Sequence, residues 1–332
     1  MQIQNIINKF FENKKILQSD LDFIFSGIID AKFNEHTATA LLTLLSNKGF
    51  DEESLLSVVN FLKSKCNKLL ISSDTIDTCG TGGDGKHTLN ISTASALVLS
   101  ALGIKVVKHG NKSITSKCGS ADVLEALGYN IHKTTDELIK DIDNKNFVFL
   151  FAPNFHPAMK NVANIRKSLP FRTIFNLVGP LINPTFTKRQ IIGVYDKKYL
   201  NIYISVLKKL HYKRAWVFHS NEGLDEISIF NKTSIIELYK GKIKKFIIDP
   251  KKFIKKKYSV NDIVGSDANY NARMLLDIFK GNENAFSEIV SLNAAAGLIV
   301  AEKYENLQET FIEVKNFIKS GKVYNHLQKI LS

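Results

Sequence analysis

The chain has 332 residues, of which 44% are hydrophobic and 23% are charged. This length suits two domains or one large α/β unit with an appendage, and this composition excludes a disordered or fibrous protein. The formal net charge of +13 comes almost entirely from lysines spread along the chain, with only five arginines. Because specific nucleic-acid readers rely on the arginine fork, we interpret the charge as a compositional bias and expect no nucleic-acid partner.

Apolar runs and cysteines narrow the class further. The longest apolar runs, such as ALVLSALG and NAAAGLIVA, fall well short of the roughly 18 residues that span a bilayer, and the first residues lack the pattern of a secretion signal. We therefore expect a cytoplasmic protein that does not contact membranes. Cys66, Cys79 and Cys118 lack the spacing of a disulfide framework or a zinc site, so they are predicted to be buried free thiols.

Residues 1 to about 70 are predicted to be entirely helical. Apolar residues recur at helical spacing in the first residues, and Ser19 and Asp22 have the spacing of a capping box before LDFIFSGIIDAK. Gly49 is placed to end the next helix, and EESLLSVVNFLKSKC forms a further amphipathic stretch. No strand pattern interrupts these segments.

From residue 75 onward, short apolar runs alternate with helical segments. This alternation is typical of a parallel sheet covered by helices on both faces. A predicted hairpin, ISIFNKTSIIELYKGKIKKFIID, is followed by helices at 268–280, 284–303, 307–319 and 321–331. Strands are expected at 75–78, 104–108, 147–151, 190–195 and 215–219, with helices near 91–102, 120–127, 134–143, 156–169 and 197–210.

The segment DTCGTGGDGKHTLNIST, residues 77–93, leaves a predicted strand, crosses four glycines and enters a predicted helix. Glycines allow positive φ angles and close backbone approach, and a helix N-terminus presents free N–H groups, so this segment is predicted to bind an anion. A dinucleotide is disfavoured because no acidic residue occurs between Asp84 and Asp122 to hold the ribose. A nucleoside triphosphate is disfavoured because His87 stands where GxxxxGK requires Ser or Thr.

The second predicted strand runs directly into KHGNKSITSKCGSADVLEALG, which is rich in lysine, hydroxyl and amide side chains. Open α/β sheets bind ligands at the carboxyl ends of their strands. Two adjacent strands that both end in loops suited to phosphate therefore predict one ligand that carries several phosphates.

Two later segments contain further candidate binding groups. Arg166 and Arg172 are suited to bind a carboxylate or phosphate through a bidentate fork, whereas His156 is interpreted as a capping or packing histidine. Asp225 and Glu226 follow a predicted strand, in GLDEIS. Beside a phosphate site, such a pair predicts Mg²⁺, which takes one or two carboxylates together with substrate phosphates and water.

These motifs resemble one known family. GTGGD, NIST, KHGN with SITSKCGSADVLEALG, HPAMK, RTIFN and GLDEIS occur in the order found in anthranilate phosphoribosyltransferases, and the resemblance continues through LNAAAGLIVA to SGKVYNHLQKIL. It implies transfer of the 5-phosphoribosyl group from 5-phosphoribosyl diphosphate (PRPP) to the amino group of anthranilate, with release of diphosphate, in tryptophan biosynthesis. An aromatic amine is already unprotonated near neutral pH, so no general base is assigned.

The resemblance also implies an architecture. A small all-α N-terminal domain, at 1–70 with helices around 156–185 returning to it, would be hinged to a large α/β domain at 71–332. The large domain would have a mainly parallel central sheet and a C-terminal helical cluster, as in nucleoside phosphorylases and phosphoribosyltransferases. A homodimer through the helical domain is implied as well.

Position by position, the resemblance assigns roles to individual residues. Lys108 would stabilise the transition state, and two Mg²⁺ ions per subunit would be held with the help of Ser92, Asp225 and Glu226. The implied anthranilate contacts are Gly80, His109, Asn111, Arg166 and Gly179. The implied PRPP contacts are Gly80, Gly83, Asp84, Thr88, Asn90, Ile91, Ser92, Thr93, Lys108, His109, Gly110, Asn111, Lys112, Ser113, Ile114, Thr115, Ser116 and Ser120.

The chain departs from the family pattern at Lys112, Asn164, Pro170 and Ser266, which bears on hinge flexibility and rate more than on identity. Two alternative functions remain open from the sequence. One is a pyrimidine nucleoside phosphorylase of similar fold, which would release a free base from thymidine or uridine. The other is a basic nucleic-acid-binding protein, which would show steeply salt-dependent retention of DNA or RNA.

Overall fold

The computed structural model describes residues 2–71, 74–113 and 117–332. The chain divides into two compact units. Met1–Lys68 and Pro153–Pro184 form the helical unit, and Leu69–Ala152 and Thr185–Ser332 form the sheet unit. Within the described residues, no helix is long and apolar enough to cross a membrane.

The secondary structure follows the order expected of an α/β chain that begins with helices. The strands are β1 (Ile76–Gly80), β2 (Val106–Gly110), β3 (Phe147–Phe151), β4 (Arg189–Gly193), β5 (Arg214–Ser220), β6 (Thr233–Tyr239) and β7 (Lys242–Ile248). The helices are α1 (Gln2–Phe11), α2 (Gln18–Ile29), α3 (Glu35–Lys48), α4 (Glu52–Lys65), α5 (Ile91–Ala101), α6 (Ser120–Ala126), α7 (Thr135–Lys145), α8 (Ala152–Phe155), α9 (Lys160–Ser168), α10 (Tyr199–Lys209), α11 (Ala268–Phe279), α12 (Ala285–Val300), α13 (Leu307–Lys319) and α14 (Lys322–Leu331).

In the helical unit, α2 packs against α3, α4 and α9 through a stripe of buried aliphatic and aromatic side chains. The second part of this unit, Pro153–Pro184, is hydrogen-bonded to α2. Nδ2 of Asn161 donates to the carbonyl of Ile29 at 2.8 Å. The prediction that Gly49 ends α3 is confirmed, because its φ of 86° places it in the left-handed region.

The predicted capping box of Ser19 and Asp22 is wrong. Helix α2 begins at Gln18, and its first turn is closed by Asp20, which accepts from the N–H of Leu17 at 2.9 Å. Lys9 donates to the same Asp20 oxygen at 2.7 Å, so a tertiary ion pair helps to select this carboxylate over its neighbour.

The predicted helix at 156–169 is wrong at its start. Pro157–Met159 is a 3₁₀ helix, and α9 begins only at Lys160. His156 precedes this turn and is only 3% exposed. Burial lowers the pKa of His156 to about 4, despite a contact with the backbone of Ile182 that raises it. A neutral, packed imidazole agrees with the interpretation of this residue as a packing histidine.

In the described part of the chain, the sheet has seven strands in the order β3-β2-β1-β4-β5-β6-β7. Strands β1 to β5 pair in parallel, whereas β6 and β7 form an antiparallel hairpin. The predicted mainly parallel sheet is confirmed, and each of the five predicted strands agrees with the structure to within two residues at either end. The strand order reverses between β1 and β4, and such a switch point opens a crevice at the carboxyl ends of the strands.

Helices cover both faces of this sheet. Helices α5 and α12 lie over one face, and α10 contacts β5 and β6 from the other. All residues of α12 are buried. An added Cβ at Gly297 of α12 would lie 2.6 Å from Cδ1 of Leu99, so glycine is what allows α12 to approach α5 so closely. The three predicted buried free thiols, at Cys66, Cys79 and Cys118, are confirmed.

Candidate active site

The glycine-rich loop connects the carboxyl end of β1 to α5. Gly82, Gly83 and Gly85 have φ angles of 66°, 80° and 71°, in the left-handed region that favours glycine. The end of the loop is fixed by a distant segment, because the N–H of Leu89 donates to the carbonyl of Ile263 at 2.8 Å. The loop therefore turns sharply at the switch point and enters α5 from a fixed direction.

Asp225 and Glu226 lie between β5 and β6 and face the start of α5. Glu226 Oε1 accepts from the hydroxyl of Ser92 at 2.6 Å and from its N–H at 3.1 Å. Asp225 Oδ2 accepts from the N–H of Gly82 at 2.7 Å. The structure thus brings the three side chains predicted to bind metal to one place, although 133 residues separate the hydroxyl from the first carboxylate in the chain.

Two glycines at the ends of adjacent strands make room for Asp225. A Cβ at Gly80, the last residue of β1, would lie 2.2 Å from Asp225 Oδ2. A Cβ at Gly193, the last residue of β4, would lie 1.7 Å from the Asp225 carbonyl oxygen. Any side chain at either position would therefore displace the carboxylate from the crevice.

The two carboxylates share a desolvated, negatively charged environment. Burial, followed by the nearby charges of Asp84 and Glu226, raises the pKa of Asp225 well above its usual range. Burial raises the pKa of Glu226 to about 7, even though Ser92 and the charge of Lys108 favour its ionised form. Within the described residues, neither carboxylate forms an ion pair with lysine, arginine or histidine. Apart from the nearby charge of Lys108, the described residues supply no cation that compensates this charge.

A hard divalent cation fits this donor set. In the described residues, no three His, Cys, Asp or Glu side chains gather closely enough to hold a metal ion by themselves. Mg²⁺ commonly takes one or two carboxylates and completes its coordination with water and substrate phosphates. Asp225 and Glu226, with the Ser92 hydroxyl beside them, supply that partial set, and a bound cation would compensate their charge.

Lys108 is the middle residue of β2 and is only 3% exposed. Its Nζ donates to the carbonyl of Thr78 at 2.6 Å, which holds the ammonium group near the crevice. The fully buried Asp77, on β1, accepts from Nε2 of Gln190 at 3.1 Å and from the N–H of His109 at 3.4 Å. These bonds connect β1, β2 and β4 directly beneath the glycine-rich loop.

The second predicted loop is closed by Asp122, which sequence reasoning missed. Its Oδ2 accepts from the N–H groups of Ser113 and Gly119, at 2.9 and 2.8 Å. An acidic residue three positions after a helix start is a capping signature, so the sequence carried a usable signal. Lys112 forms an exposed ion pair with Glu125 at 2.8 Å. Gly110, Asn111 and Ser120 lie on this loop or next to it, and Ile114, Thr115 and Ser116 lie outside the described residues.

A second missed residue, Asn271 of α11, supports the start of α5. Its Nδ2 donates to Asn90 Oδ1 at 2.9 Å, and Asn90 in turn donates to the carbonyl of Cys118 at 3.2 Å. Asn271 Oδ1 accepts from the N–H of Ser266 at 2.9 Å, a backbone contact that does not use the Ser266 side chain. The other predicted residues of this segment, Gly83, Asp84, Thr88, Ile91 and Thr93, lie on the loop and the first turn of α5.

The helical unit carries the remaining predicted residues. Burial lowers the pKa of Arg166, and its guanidinium has no hydrogen-bond or ion-pair partner in the described residues. Gly179 is exposed at the start of a 3₁₀ helix. Pro170 follows the end of α9, a position that accommodates proline. Arg172 and Asn164 are both exposed.

Comparisons with known proteins agree with this geometry. The model of the glycosyl transferase family, a/b domain, matches residues 72–324. The anthranilate phosphoribosyltransferase of Pelagibacter ubique is 46% identical over 98% of this chain and 98% of its own. The crystal structure of the Thermus thermophilus anthranilate phosphoribosyltransferase has a TM-score of 0.90 and 30% identity, covering 100% of this chain and 98% of that chain.

The Saccharomyces cerevisiae anthranilate phosphoribosyltransferase has been solved in complex with PRPP and Mg, at a TM-score of 0.88 and 26% identity. It has also been solved with 4-fluoroanthranilate, at a TM-score of 0.88 and 25% identity. Both alignments cover 99% of this chain and 96% of the yeast chain. The fold and the desolvated carboxylates at the switch point are thus consistent with a glycosyl transferase of the α/β type. The chain belongs to the anthranilate phosphoribosyltransferase family, as the sequence motifs predicted.

Proposed function

We propose that this chain transfers the 5-phosphoribosyl group from PRPP to the amino group of anthranilate and releases diphosphate. The observation that carries the proposal is the pair of desolvated carboxylates, Asp225 and Glu226, at the switch point beside the glycine-rich loop. In the free protein, two desolvated carboxylates without a bonded cation are unfavourable. Binding of a cation together with its polyphosphate ligand would remove this cost. Family membership supplies the identity of the two substrates.

PRPP is proposed to lie along the carboxyl ends of β1 and β2. The glycine-rich loop and the N-terminus of α5 would face a ligand at that position, with the helix dipole favouring negative charge. The predicted contacts of the second loop, including its residues outside the described part of the chain, would surround the phosphoribosyl group. Lys108 is held near the crevice by Thr78 and would face the charge that develops on the departing diphosphate.

Mg²⁺ is proposed to be held by Asp225 and Glu226 with the Ser92 hydroxyl, and we expect two ions per subunit. When bound, the metal neutralises the diphosphate and so makes it a better leaving group. A bound metal would favour the ionised form of both carboxylates, and Ser92 and the charge of Lys108 already favour that form at Glu226. The serine and lysine thereby connect the metal-binding residues to the PRPP loops.

Anthranilate is proposed to bind through its carboxylate to Arg166, with Asn111, His109, Gly80 and Gly179 as further contacts. The support is electrostatic, because a half-buried guanidinium with unused donors in the described residues is suited to a carboxylate ligand. The anthranilate amine is already neutral near pH 7. The chain therefore has to orient the nitrogen towards the anomeric carbon and exclude water, and no general base is needed.

On this proposal, the sheet unit is the PRPP-binding domain and the helical unit contributes to binding anthranilate. We further propose that the protein works in the cytoplasm as a homodimer through its helical unit. Size-exclusion chromatography with light scattering measures the dimer directly.

The decisive experiment is a fluorescence assay of anthranilate consumption with PRPP and Mg²⁺. We expect consumption that requires both additions and yields diphosphate. A parallel incubation with thymidine or uridine and phosphate tests the nucleoside phosphorylase alternative. Release of free base there, without anthranilate consumption, would overturn the proposal.

Arg166→Ala tests the anthranilate site. We expect the KM for anthranilate to rise at least ~10-fold, while the KM for PRPP changes far less, because the variant loses a charge-assisted bond to one substrate only. Lys167→Ala, which removes an exposed cation from the same helix, serves as the matched control. An equal rise of both KM values in Arg166→Ala would contradict the assigned role.

A further inference from the structure

The side chain of Asn293, on α12, binds both polar backbone groups of Ile227. Its Oδ1 accepts from the N–H of Ile227 at 3.0 Å, and its Nδ2 donates to the carbonyl of Ile227 at 2.9 Å. Nδ2 also donates to the carbonyl of Ile289, one turn earlier in α12, at 2.9 Å. One amide thus does for Ile227 what a neighbouring strand does for a residue inside a sheet.

The surroundings make this contact rigid. Asn293 and Ile227 are both 0% exposed, and α12 is buried along its whole length against α5, α13 and the sheet. Water does not reach either group to replace a lost bond. Buried polar networks of this kind hold one arrangement when every member is satisfied, and they give it up when one member is removed.

We propose that Asn293 is a positioning residue for the carboxylates Asp225 and Glu226. The inference rests on the proposed function, in which these carboxylates hold Mg²⁺. Ile227 follows Glu226 directly, so fixing its N–H and carbonyl fixes the direction in which the Glu226 side chain leaves the backbone. That side chain ends on the Ser92 hydroxyl at 2.6 Å, at the start of α5.

Helix α12 therefore acts on the site through two routes. It packs against α5, which carries Ser92, and it holds the backbone beside Glu226 through Asn293. The serine and the carboxylate are thus both held in place by the same buried helix. Residues that hold a metal ligand from behind affect metal affinity by about 10- to 100-fold in other proteins.

Two substitutions test the role. Asn293→Leu keeps the branched shape of the side chain but is larger and removes its hydrogen bonds. Asn293→Asp keeps the size and an acceptor for the Ile227 N–H while losing both amide hydrogens. The control is Ser291→Ala in the same helix, whose hydroxyl bonds only within α12, to the carbonyl of Ser287 at 2.7 Å. The readout is the Mg²⁺ concentration that gives half of the rise in melting temperature at saturating PRPP, measured without anthranilate so that no turnover occurs.

We expect the half-saturating Mg²⁺ concentration to rise at least ~10-fold in both Asn293 variants and to stay within about twofold of the wild type in Ser291→Ala. The KM for anthranilate should not change. A lower melting temperature with unchanged half-saturating Mg²⁺ would show a purely structural role and would overturn the proposal. If Asn293→Leu does not fold, Asn293→Asp decides by the same criterion.

Glu226→Gln, measured in parallel, separates this inference from the proposed function. If Glu226→Gln weakens the Mg²⁺ response and the Asn293 variants do not, the positioning role is wrong while the metal site stands. If Glu226→Gln leaves the Mg²⁺ response unchanged, the metal site itself is wrong, and the positioning role is wrong with it.

Discussion

Charged side chains are paired at one end of the parallel strands and not at the other. We call these two ends the amino edge and the carboxyl edge of the central sheet. At the amino ends of β4 and β5, the buried Arg189 and the partly buried Arg214 are paired. Arg189 Nε donates to Asp74 at 3.0 Å, and its NH2 nitrogen also binds Glu302. Arg214 Nε donates to Glu237 at 2.9 Å. At the carboxyl ends of the same strands, Asp225 and Glu226 have no cation partner among the described residues.

The pKa directions express this difference. Although burial raises it, hydrogen bonds from Lys213 and Arg189 hold the pKa of Asp74 below its usual range. At the other edge, burial and neighbouring carboxylates raise the pKa of Asp225. The amino edge thus stabilises the fold with its own counter-charges, whereas the described residues at the carboxyl edge supply no bonded counter-charge. Charge left uncompensated in an otherwise satisfied fold marks a functional site.

The largest expected effect separates activity from stability at the carboxyl edge. The double variant Asp225→Asn with Glu226→Gln removes both charges but keeps oxygen acceptors for Gly82 and Ser92. We expect kcat to fall by about 10³-fold, and the unfolding free energy of the ligand-free protein to rise by about 1 kcal/mol, because buried unpaired charge is removed. Steady-state kinetics and urea unfolding measure the two quantities. If the double variant lost stability together with activity, the carboxylates would stabilise the fold, and the contrast with the amino edge would be wrong.

At the amino edge we expect the reverse pattern. Arg189→Met removes the partner of two partly exposed carboxylates and the donor to the buried carbonyl of Val300. The unfolding free energy should fall by about 2 kcal/mol, mainly because that carbonyl is left without its bond. The matched control is Lys213→Met, which removes a more exposed partner of the same Asp74 carboxylate and should cost no more than about 1 kcal/mol. Both KM values and the Mg²⁺ dependence of the folded Arg189→Met protein should match the wild type. A change in Mg²⁺ dependence would show that the edges are not independent.

The smallest expected effect is an acid sensitivity of the amino edge. The pKa values of Asp74 and Glu302 are lowered from ordinary values of 3.8 and 4.5. The unfolded chain therefore binds these protons first as the pH falls, and the stability that the pairs contribute is complete above about pH 4.5 and lost below it. Because both carboxylates are partly exposed, we expect less than about 1 kcal/mol. Urea midpoints of the wild type should fall more steeply below pH 4.5 than those of Arg189→Met, and identical slopes would refute the assignment.

Much of the fold could be predicted because its signals are local. Strands such as β3, FVFLF, are short apolar runs buried on both sides, and their alternation with amphipathic helices fixes a parallel sheet. Errors arose where a distant partner chooses between neighbouring residues. Asp20 rather than Asp22 closes the first turn of α2 because Lys9 binds it, while Asp22 accepts from Ser57 Oγ at 2.7 Å.

The candidate site divides in the same way. Gly82, Ser92 and the Asp225–Glu226 pair carry a local pattern, so the sequence pointed to each of them. Asn271 and Asn293 carry none, since their partners lie far away along the chain. The available signal was an amide in the middle of an apolar helix, as in LNAAAG. A buried amide must form hydrogen bonds, but the periodicity of the helix does not identify its partners.

The clearance that Gly80 and Gly193 provide for Asp225 has a consequence for how this protein tolerates mutation. Neither glycine offers a functional group, yet both occupy space that even one extra methyl group would take from the carboxylate. A saturation screen should therefore find these two bare positions among the least replaceable in the chain, alanine included. Exposed lysines elsewhere should tolerate most substitutions. In such a screen the site would therefore be identified by two intolerant glycines as clearly as by its carboxylates.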